Sequence, residues 1–233
     1  MKLAFMHIPK TGGISLERAI MSGLDEAEVC DAYYPAEFAK KTYADMPDYA
    51  LYQGHFNFDF VATLPDDYRK ITVVRKPEDL LLSLYNHIAS RPAHAHHEEA
   101  NSDGMTFAKF VDSKTSMRNT LSKYLLGADA YKAIWNDSGK PVKDRVDEAV
   151  EQVKKNLASF DAIGLTPRLN GFASEVSKLV DREIPTPKRE NANATIAMER
   201  DQLTQADKDV IARATRLDRP VFKMIWGEYF GES

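Results

Sequence analysis

A glycine-containing turn near the amino terminus brings together residue types that bind anions. Pro9 to Ser15 (PKTGGIS) lies between an apolar stretch and a segment with helical spacing. The start of a helix offers unpaired backbone N–H groups and the positive end of a dipole, and glycines let a phosphate approach the backbone. Lys10 adds a positive charge, while Thr11 and Ser15 add hydroxyl donors. The turn therefore predicts an anion-binding cradle.

The order of residues separates this turn from the phosphate loop of ATPases. In that loop the lysine follows the glycines as Gly-Lys-Ser/Thr, whereas Lys10 precedes Gly12 and Gly13. A tight left-handed turn with a helix cap is the structural alternative, but it needs neither the lysine nor two glycines. We therefore favour anion binding.

A second cationic position follows another buried stretch. Arg75 stands at the tip of a predicted strand (KITVV), directly before a helix that Pro77 opens. Ser83 lies about two turns into that helix and off its apolar stripe. Arginine can bind a phosphate through two parallel N–H donors. Arg75 and Ser83 therefore predict a second phosphate site, although a lone strand-end arginine is more often a surface ion-pair partner.

Strand-like and helix-like stretches alternate along the chain and position these residues. Strands are predicted at 2–7, 49–53, 70–74 and 160–165. Helices are predicted at 15–20, from Pro77 onwards, at 146–157 and at 169–180, with two more expected between Thr106 and Ala133. This alternation predicts a P-loop-like α/β fold, a mainly parallel sheet flanked by helices, as a single domain over residues 1–233. Ligands bind at the carboxyl ends of such strands. The residues that follow His7, Gln53 and Val74 are therefore expected to meet at one edge.

Composition limits the class of partner and the compartment. The net charge of −4 argues against nucleic acid, which requires a basic footprint. Cys30 is the single cysteine, so neither an intrachain disulfide nor a thiolate metal site is expected. No stretch reaches the roughly 18 apolar residues of a membrane span, and the first residues lead directly into the turn. We therefore expect a cytoplasmic protein without a signal peptide or membrane anchor.

Four blocks of the sequence resemble, in order, the carbohydrate sulfotransferase family that includes the heparan-sulfate 2-O-sulfotransferases and bacterial relatives. The blocks are HIPKTGGIS, GHFNF, TVVRKPEDLLLSLYNH and FDAIGLTPRLNGF. The resemblance implies that 3′-phosphoadenosine-5′-phosphosulfate (PAPS) is the sulfuryl donor and that no metal is required. It assigns the 3′-phosphate to Arg75 and Ser83. It assigns the 5′-phosphosulfate to the residues of the first block: Lys10, Thr11, Gly12, Gly13, Ile14 and Ser15.

The resemblance also implies a catalytic base. His55 follows Gly54 at the end of a predicted strand and matches the second histidine of the His-Gly-His of 2-O-sulfotransferases, while Gln53 replaces the first. A neutral imidazole suits removal of a proton from a hydroxyl. A hydrogen-bonded strand-end histidine is the structural alternative. Lys10 is expected to stabilise charge on the sulfuryl oxygens and on the departing phosphate.

The chain departs from the family pattern at three positions. Ile14 replaces a threonine, Lys76 replaces the aspartate of Arg-Asp-Pro, and Leu80 replaces an arginine. None of these removes a residue assigned to the donor. The acceptor side is less defined: the family implies a carbohydrate or glycolipid hydroxyl, and a small metabolite or a peptidyl tyrosine stays open.

Three other polar segments have competing interpretations. The polar stretch 90–105 holds His94, His96 and His97, which we interpret as a solvated lid in preference to a metal site. Lys188 and Arg189 fit either a loop that closes over the nucleotide or a surface charge run, and Arg118 to Thr120 fit either the acceptor side or the surface. A P-loop kinase and a non-catalytic nucleotide-binding module are the alternative functions; the module would keep Lys10 and Arg75 but would not need His55.

Overall fold

A parallel four-stranded sheet organises the computed structural model, which describes residues 1–114, 117–136, 139–188 and 197–231. Its strands lie in the order β2-β1-β3-β4. They are β1 (Leu3–Met6), β2 (Leu51–Gly54), β3 (Arg69–Val74) and β4 (Ala162–Leu165). Nearly all of their residues are buried, as expected for a parallel sheet covered on both faces. The predicted α/β class and all four predicted strands are confirmed.

The strand register decides which residues share the functional edge. Met6 pairs with Gly54 on one side and with Thr72 on the other, and Val74 pairs with Leu165. Because all the pairs are parallel, the segments that follow each strand leave the sheet at the same edge. The register therefore gathers the residues after His7, Gly54, Val74 and Leu165 there.

Helices pack on both faces of the sheet. The α-helices of the described part are α1 (Gly13–Met21), α2 (Pro35–Phe38), α3 (Phe58–Val61), α4 (Pro77–Ala89), α5 (His97–Ala100), α6 (Phe107–Ser113), α7 (Thr120–Leu126), α8 (Ala128–Trp135), α9 (Val142–Leu157), α10 (Leu169–Leu179), α11 (Gln205–Ala214) and α12 (Asp218–Ile225). A π-helix, Trp226–Phe230, follows α12. None of these helices is long and apolar enough to cross a membrane.

Alternate strand residues build two different cores. Leu3 and Phe5 of β1 pack with apolar residues of α1 and α10 on one face. Ala4 and Met6 belong to the larger core on the other face, to which α3, α7, α9 and α12 contribute. A third cluster lies where the apolar stripe of α4 meets α6 and α11. The period-two alternation along β1 thus fixes α1, and with it the glycine turn, against one face of the sheet.

The stretch between Thr106 and Ala133 differs from the prediction of two helices. Three helices, α6, α7 and α8, begin there. The breaks fall at Asn119 and Gly127, whose backbones have positive φ angles of 50° and 87°. Asn119 and Thr120 are buried, and the Asn119 amide accepts a hydrogen bond from the backbone N–H of Leu217 at 3.0 Å. These two residues are therefore part of the buried interior, where Asn119 ties the start of α7 to the segment before α12.

Candidate active site

The glycine turn is held in shape by its own side chains. The backbone of Lys10 has a φ of 66° and that of Gly12 a φ of 85°, so the chain passes through the left-handed region twice before α1 begins. The Thr11 hydroxyl donates to the carbonyl oxygen of Ile8 at 2.8 Å and is fully buried. Thr166, which follows β4, donates to the carbonyl oxygen of Thr11 at 2.7 Å. These hydrogen bonds fix the backbone that surrounds the start of α1.

Gly13 is required by a close neighbour. A β-carbon built at this position would overlap the imidazole ring of His7. His7 is 2% exposed and its Nδ1 lies 2.7 Å from Oε1 of Glu17, so the ring cannot move aside cheaply. The second glycine of the motif therefore lets the first turn of α1 lie directly on His7. The Ile14 side chain beyond it is exposed, and Ser15 is partly buried.

Cationic side chains converge on the turn. The Lys10 ammonium donates to Nδ1 of His87 at 3.2 Å. Burial, together with the positive charges of Arg91 and Arg75, lowers the Lys10 pKa to about 8. The Arg75 guanidinium donates to the carbonyl oxygen of Lys10 at 2.9 Å. Burial also lowers the Arg75 pKa, which the nearby Asp79 partly offsets. Like charges held this close favour the binding of an anion.

Ser83 lies on α4 as the sequence predicts. It is partly buried, and within the described residues its hydroxyl has no hydrogen-bond partner. His87 follows it by one turn of α4, so the two side chains share a face of that helix. Since His87 contacts Lys10, this face of α4 borders the predicted anion cradle.

His55 is held in one tautomer beside the turn. Its Nδ1–H donates to the carbonyl oxygen of His7 at 2.7 Å, because a carbonyl can only accept. The Nε2 atom is consequently the unprotonated nitrogen of the neutral ring. Burial, and to a smaller extent the neighbouring His7, lower the His55 pKa to about 4. At neutral pH the side chain therefore offers a free lone pair, as a general base requires.

A largely buried polar network packs against His55 and holds it in place. The ring centroids of His7 and Tyr33 lie 4.6 Å and 4.9 Å from that of His55. The Tyr33 carbonyl oxygen accepts from the His55 backbone N–H at 2.7 Å, and the Tyr33 hydroxyl donates to Glu17 at 3.0 Å. Glu17 thus binds both residues that flank His55. The backbone of Tyr33 also closes on Gly54, where a β-carbon would meet its carbonyl oxygen at 2.7 Å.

Sequence reasoning missed His7, Glu17, Tyr33, His87 and Thr166 as members of this site. His7 carried a signal, since it directly precedes the motif. The other four join the site only through tertiary contacts, such as the pairing of Lys10 with a histidine 77 positions away. No pattern along the chain identifies such a pairing.

The remaining predicted residues lie as follows. Gln53 is buried beside Met21, and its side-chain oxygen has no partner within the described chain. His94 approaches His87, with ring centroids 6.0 Å apart, so the 90–105 segment folds back towards the cradle. The described residues contain no group of three histidine, cysteine or acidic side chains placed to hold a metal ion. Lys188 is exposed, and Arg189 lies outside the described residues.

Comparison with known proteins identifies the family. A family model described as the sulfotransferase family matches residues 1–223. Among solved structures, the chain is similar to the crystal structure of mouse sulfotransferase SULT7A1 complexed with PAP, with 14% sequence identity and a TM-score of 0.35 over 100% of this chain and 86% of that chain. None of the curated proteins compared with the sequence matches it. Because the family model spans nearly the whole chain, the protein belongs to the sulfotransferase family, which confirms the PAPS-dependent sulfotransferase expected from its four sequence blocks.

Proposed function

We propose that this sulfotransferase transfers the sulfuryl group of PAPS to a hydroxyl of a carbohydrate or glycolipid, with His55 as the base. The observation that carries the proposal is the hydrogen bond from His55 Nδ1 to the His7 carbonyl, which leaves Nε2 unprotonated beside the anion cradle. The proposal treats residues 1–233 as one sulfotransferase domain.

The cradle fits the donor. Lys10 and the backbone N–H groups from Gly12 to Ser15 would hold the 5′-phosphosulfate, since the glycines leave the start of α1 uncovered. Arg75 and Ser83 would hold the 3′-phosphate, the guanidinium through two parallel donors. The lowered pKa of Lys10 supports this fit, because burial and, to a smaller extent, the positive charges of Arg91 and Arg75 disfavour its charged form until an anion binds. PAPS, when bound, supplies the sulfuryl group that passes to the acceptor oxygen, and the nucleotide leaves as 3′-phosphoadenosine-5′-phosphate (PAP).

Each residue of the site then has a distinct role in the transfer. His55 accepts the proton of the acceptor hydroxyl on Nε2, while its bond to the His7 carbonyl holds the ring in that orientation. Lys10 and the turn N–H groups stabilise negative charge on non-bridging oxygens and on the departing phosphate. Thr11 and Thr166 keep the turn in its binding conformation and do not contact the donor through their hydroxyl hydrogens, which carbonyl oxygens already bind.

The acceptor class rests on the Gly54-His55 pair, which resembles the base site of carbohydrate sulfotransferases. The structure adds an aromatic surface next to this base. Tyr34 is 64% exposed and packs edge-on against Tyr33, which in turn contacts His55. An exposed ring beside the base suits the apolar face of a sugar, and also a phenol.

Incubation with sulfur-labelled PAPS and a panel of acceptors tests the proposal. The panel contains oligosaccharides, glycolipids, small alcohols and tyrosine peptides, and PAP release is measured in saturating EDTA. We expect labelled carbohydrate or glycolipid in the presence of EDTA. Label found only in tyrosine peptides or small alcohols would overturn the acceptor class, and a rate abolished by EDTA and restored by Mg²⁺ would favour the kinase alternative.

A matched lysine pair controls for general loss of charge. Lys10→Ala is expected to abolish labelling. Lys154→Ala removes a lysine near the carboxyl end of α9 that pairs with Glu228. Because α9 leads into β4, this end of the helix lies towards the edge of the sheet opposite the cradle. This control variant should keep the wild-type rate.

A further inference from the structure

His87 is a histidine that the donor-binding residues do not account for. It lies on α4 one turn after Ser83, and its Nδ1 is 3.2 Å from the Lys10 ammonium. It is partly buried, so its ring lies inside the group of residues that border the cradle and not on open surface.

The contact with Lys10 fixes the tautomer of His87. An ammonium group only donates hydrogen bonds, so Nδ1 of His87 must accept. In the neutral ring the single proton is then on Nε2, which becomes a hydrogen-bond donor. The same reasoning gives His55 the opposite tautomer, with its proton on Nδ1. His55 and His87 therefore present opposite chemistry, an acceptor at His55 and a donor at His87.

Burial and the charges around His87 keep it neutral while no anion is bound. Burial lowers its pKa to about 4, and the positive charges of Lys10, Arg91 and His94 act in the same direction. Arg75 faces Lys10 from the end of β3, and Asp79 on α4 is the carboxylate that acts on Arg75. A neutral N–H donor can bind an anionic oxygen without adding to the repulsion among these cations.

We propose that His87 is a further donor-binding residue, whose Nε2–H binds an oxygen of the phosphosulfate that Lys10 also contacts. The inference rests on the proposed function, since it assumes that the donor occupies the cradle. Its alternative is that His87 serves only to hold the Lys10 side chain in place.

Two substitutions separate these roles. His87→Gln places an amide NH₂ near the position of Nε2 and loses the acceptor at Nδ1. His87→Asn places its amide near Nδ1, where its oxygen can still accept from Lys10, and loses the donor. Affinity for PAP and for PAPS is measured by calorimetry, with His96→Gln and His96→Asn as controls, because His96 is exposed in the neighbouring segment.

A donor-binding role predicts that His87→Asn weakens PAPS binding by about tenfold or more, the usual worth of a hydrogen bond to a charged group, while His87→Gln stays within a few-fold of the wild type. The reverse ranking would overturn the inference and leave His87 as a support for Lys10. Affinities equal to that of the wild type in both variants would overturn both roles. Failure of the wild-type protein to bind PAP would instead contradict the proposed function.

Linked protonation provides a second readout in the same variants. An anion beside His87 and Lys10 raises the proton affinity of both groups, so binding should take up protons. Calorimetry of PAP binding in buffers of different ionisation enthalpy measures this uptake. Between pH 5 and 6 we expect the wild type to take up more protons than either His87 variant, since His55 contributes to the uptake in all three proteins. Uptake that is the same in the variants as in the wild type would contradict a ligand oxygen next to His87.

Discussion

Replacement of Arg75 by alanine should change which nucleotide the protein prefers. The guanidinium is assigned to the 3′-phosphate, which PAP has and AMP lacks. It also donates to the backbone carbonyl of Lys10 at 2.9 Å, so it supports the turn whichever nucleotide is bound. The substitution therefore removes two interactions, and only one of them depends on the 3′-phosphate.

The size of the change follows from the contact that only PAP makes. A hydrogen-bonded contact to a charged group contributes about 1.5–3 kcal/mol. Loss of the bond to the Lys10 carbonyl should weaken the binding of both nucleotides to the same extent, whereas loss of the phosphate contact should weaken PAP binding alone by a further factor of roughly 10 to 150. The preference for PAP over AMP should accordingly fall by roughly 10- to 150-fold.

Calorimetric titration of both nucleotides measures this preference. Arg69→Ala is a matched control, because Arg69 begins the same strand at the opposite edge of the sheet and pairs there with Asp161. We expect the control to bind both nucleotides like the wild type. Equal losses for PAP and AMP in Arg75→Ala would show that Arg75 only supports the turn, and would refute its assignment to the 3′-phosphate.

Three further predictions concern pH and packing at the cradle. Because the His55 pKa is lowered to about 4, kcat/KM should stay constant from neutral pH down towards that value and then fall as the base protonates. The fall in kcat at acid pH should begin at a higher pH, since bound donor anions favour the imidazolium. PAP binding should weaken above pH 8 as Lys10 loses its proton. In a pH series of dissociation constants, Lys10→Met should bind PAP weakly and should not show this further weakening above pH 8. Gly13→Ala should lower the free energy of unfolding by about 1–3 kcal/mol through overlap with His7; Gly171→Ala on α10, where a β-carbon meets no atom within 4 Å, should be neutral or stabilising in the same denaturant titration.

The sheet and its functional edge could be predicted from the sequence because their signals are local. Each strand is a short apolar run that ends at a turn, and Pro77 marks the first turn of α4. Parallel strands then place His55, Lys10 and Arg75 at one edge by topology alone. The turn after β1 was predicted as an anion cradle for the same reason, since the glycines, the lysine and the helix start are contiguous.

The network beneath the site could not be predicted in this way. Glu17 follows the turn on α1, where it fits an ordinary helical surface, yet it is 4% exposed because His7 and Tyr33 bind it. Tyr33 lies in a segment without periodicity and reaches His55 only through the fold. The split of the 106–133 region was missed because Asn119, unlike glycine, gives no strong signal for a left-handed backbone, and its buried contacts impose that conformation.

The most direct test of the central claim compares the wild type with His55→Ala in single-turnover transfer of labelled sulfuryl from PAPS to the best acceptor of the panel. We expect the variant to fold, to bind PAP within a few-fold of the wild type, and to transfer about 10²- to 10⁴-fold more slowly, the usual contribution of a general base. A folded His55→Ala protein that binds PAP and transfers at the wild-type rate would contradict it.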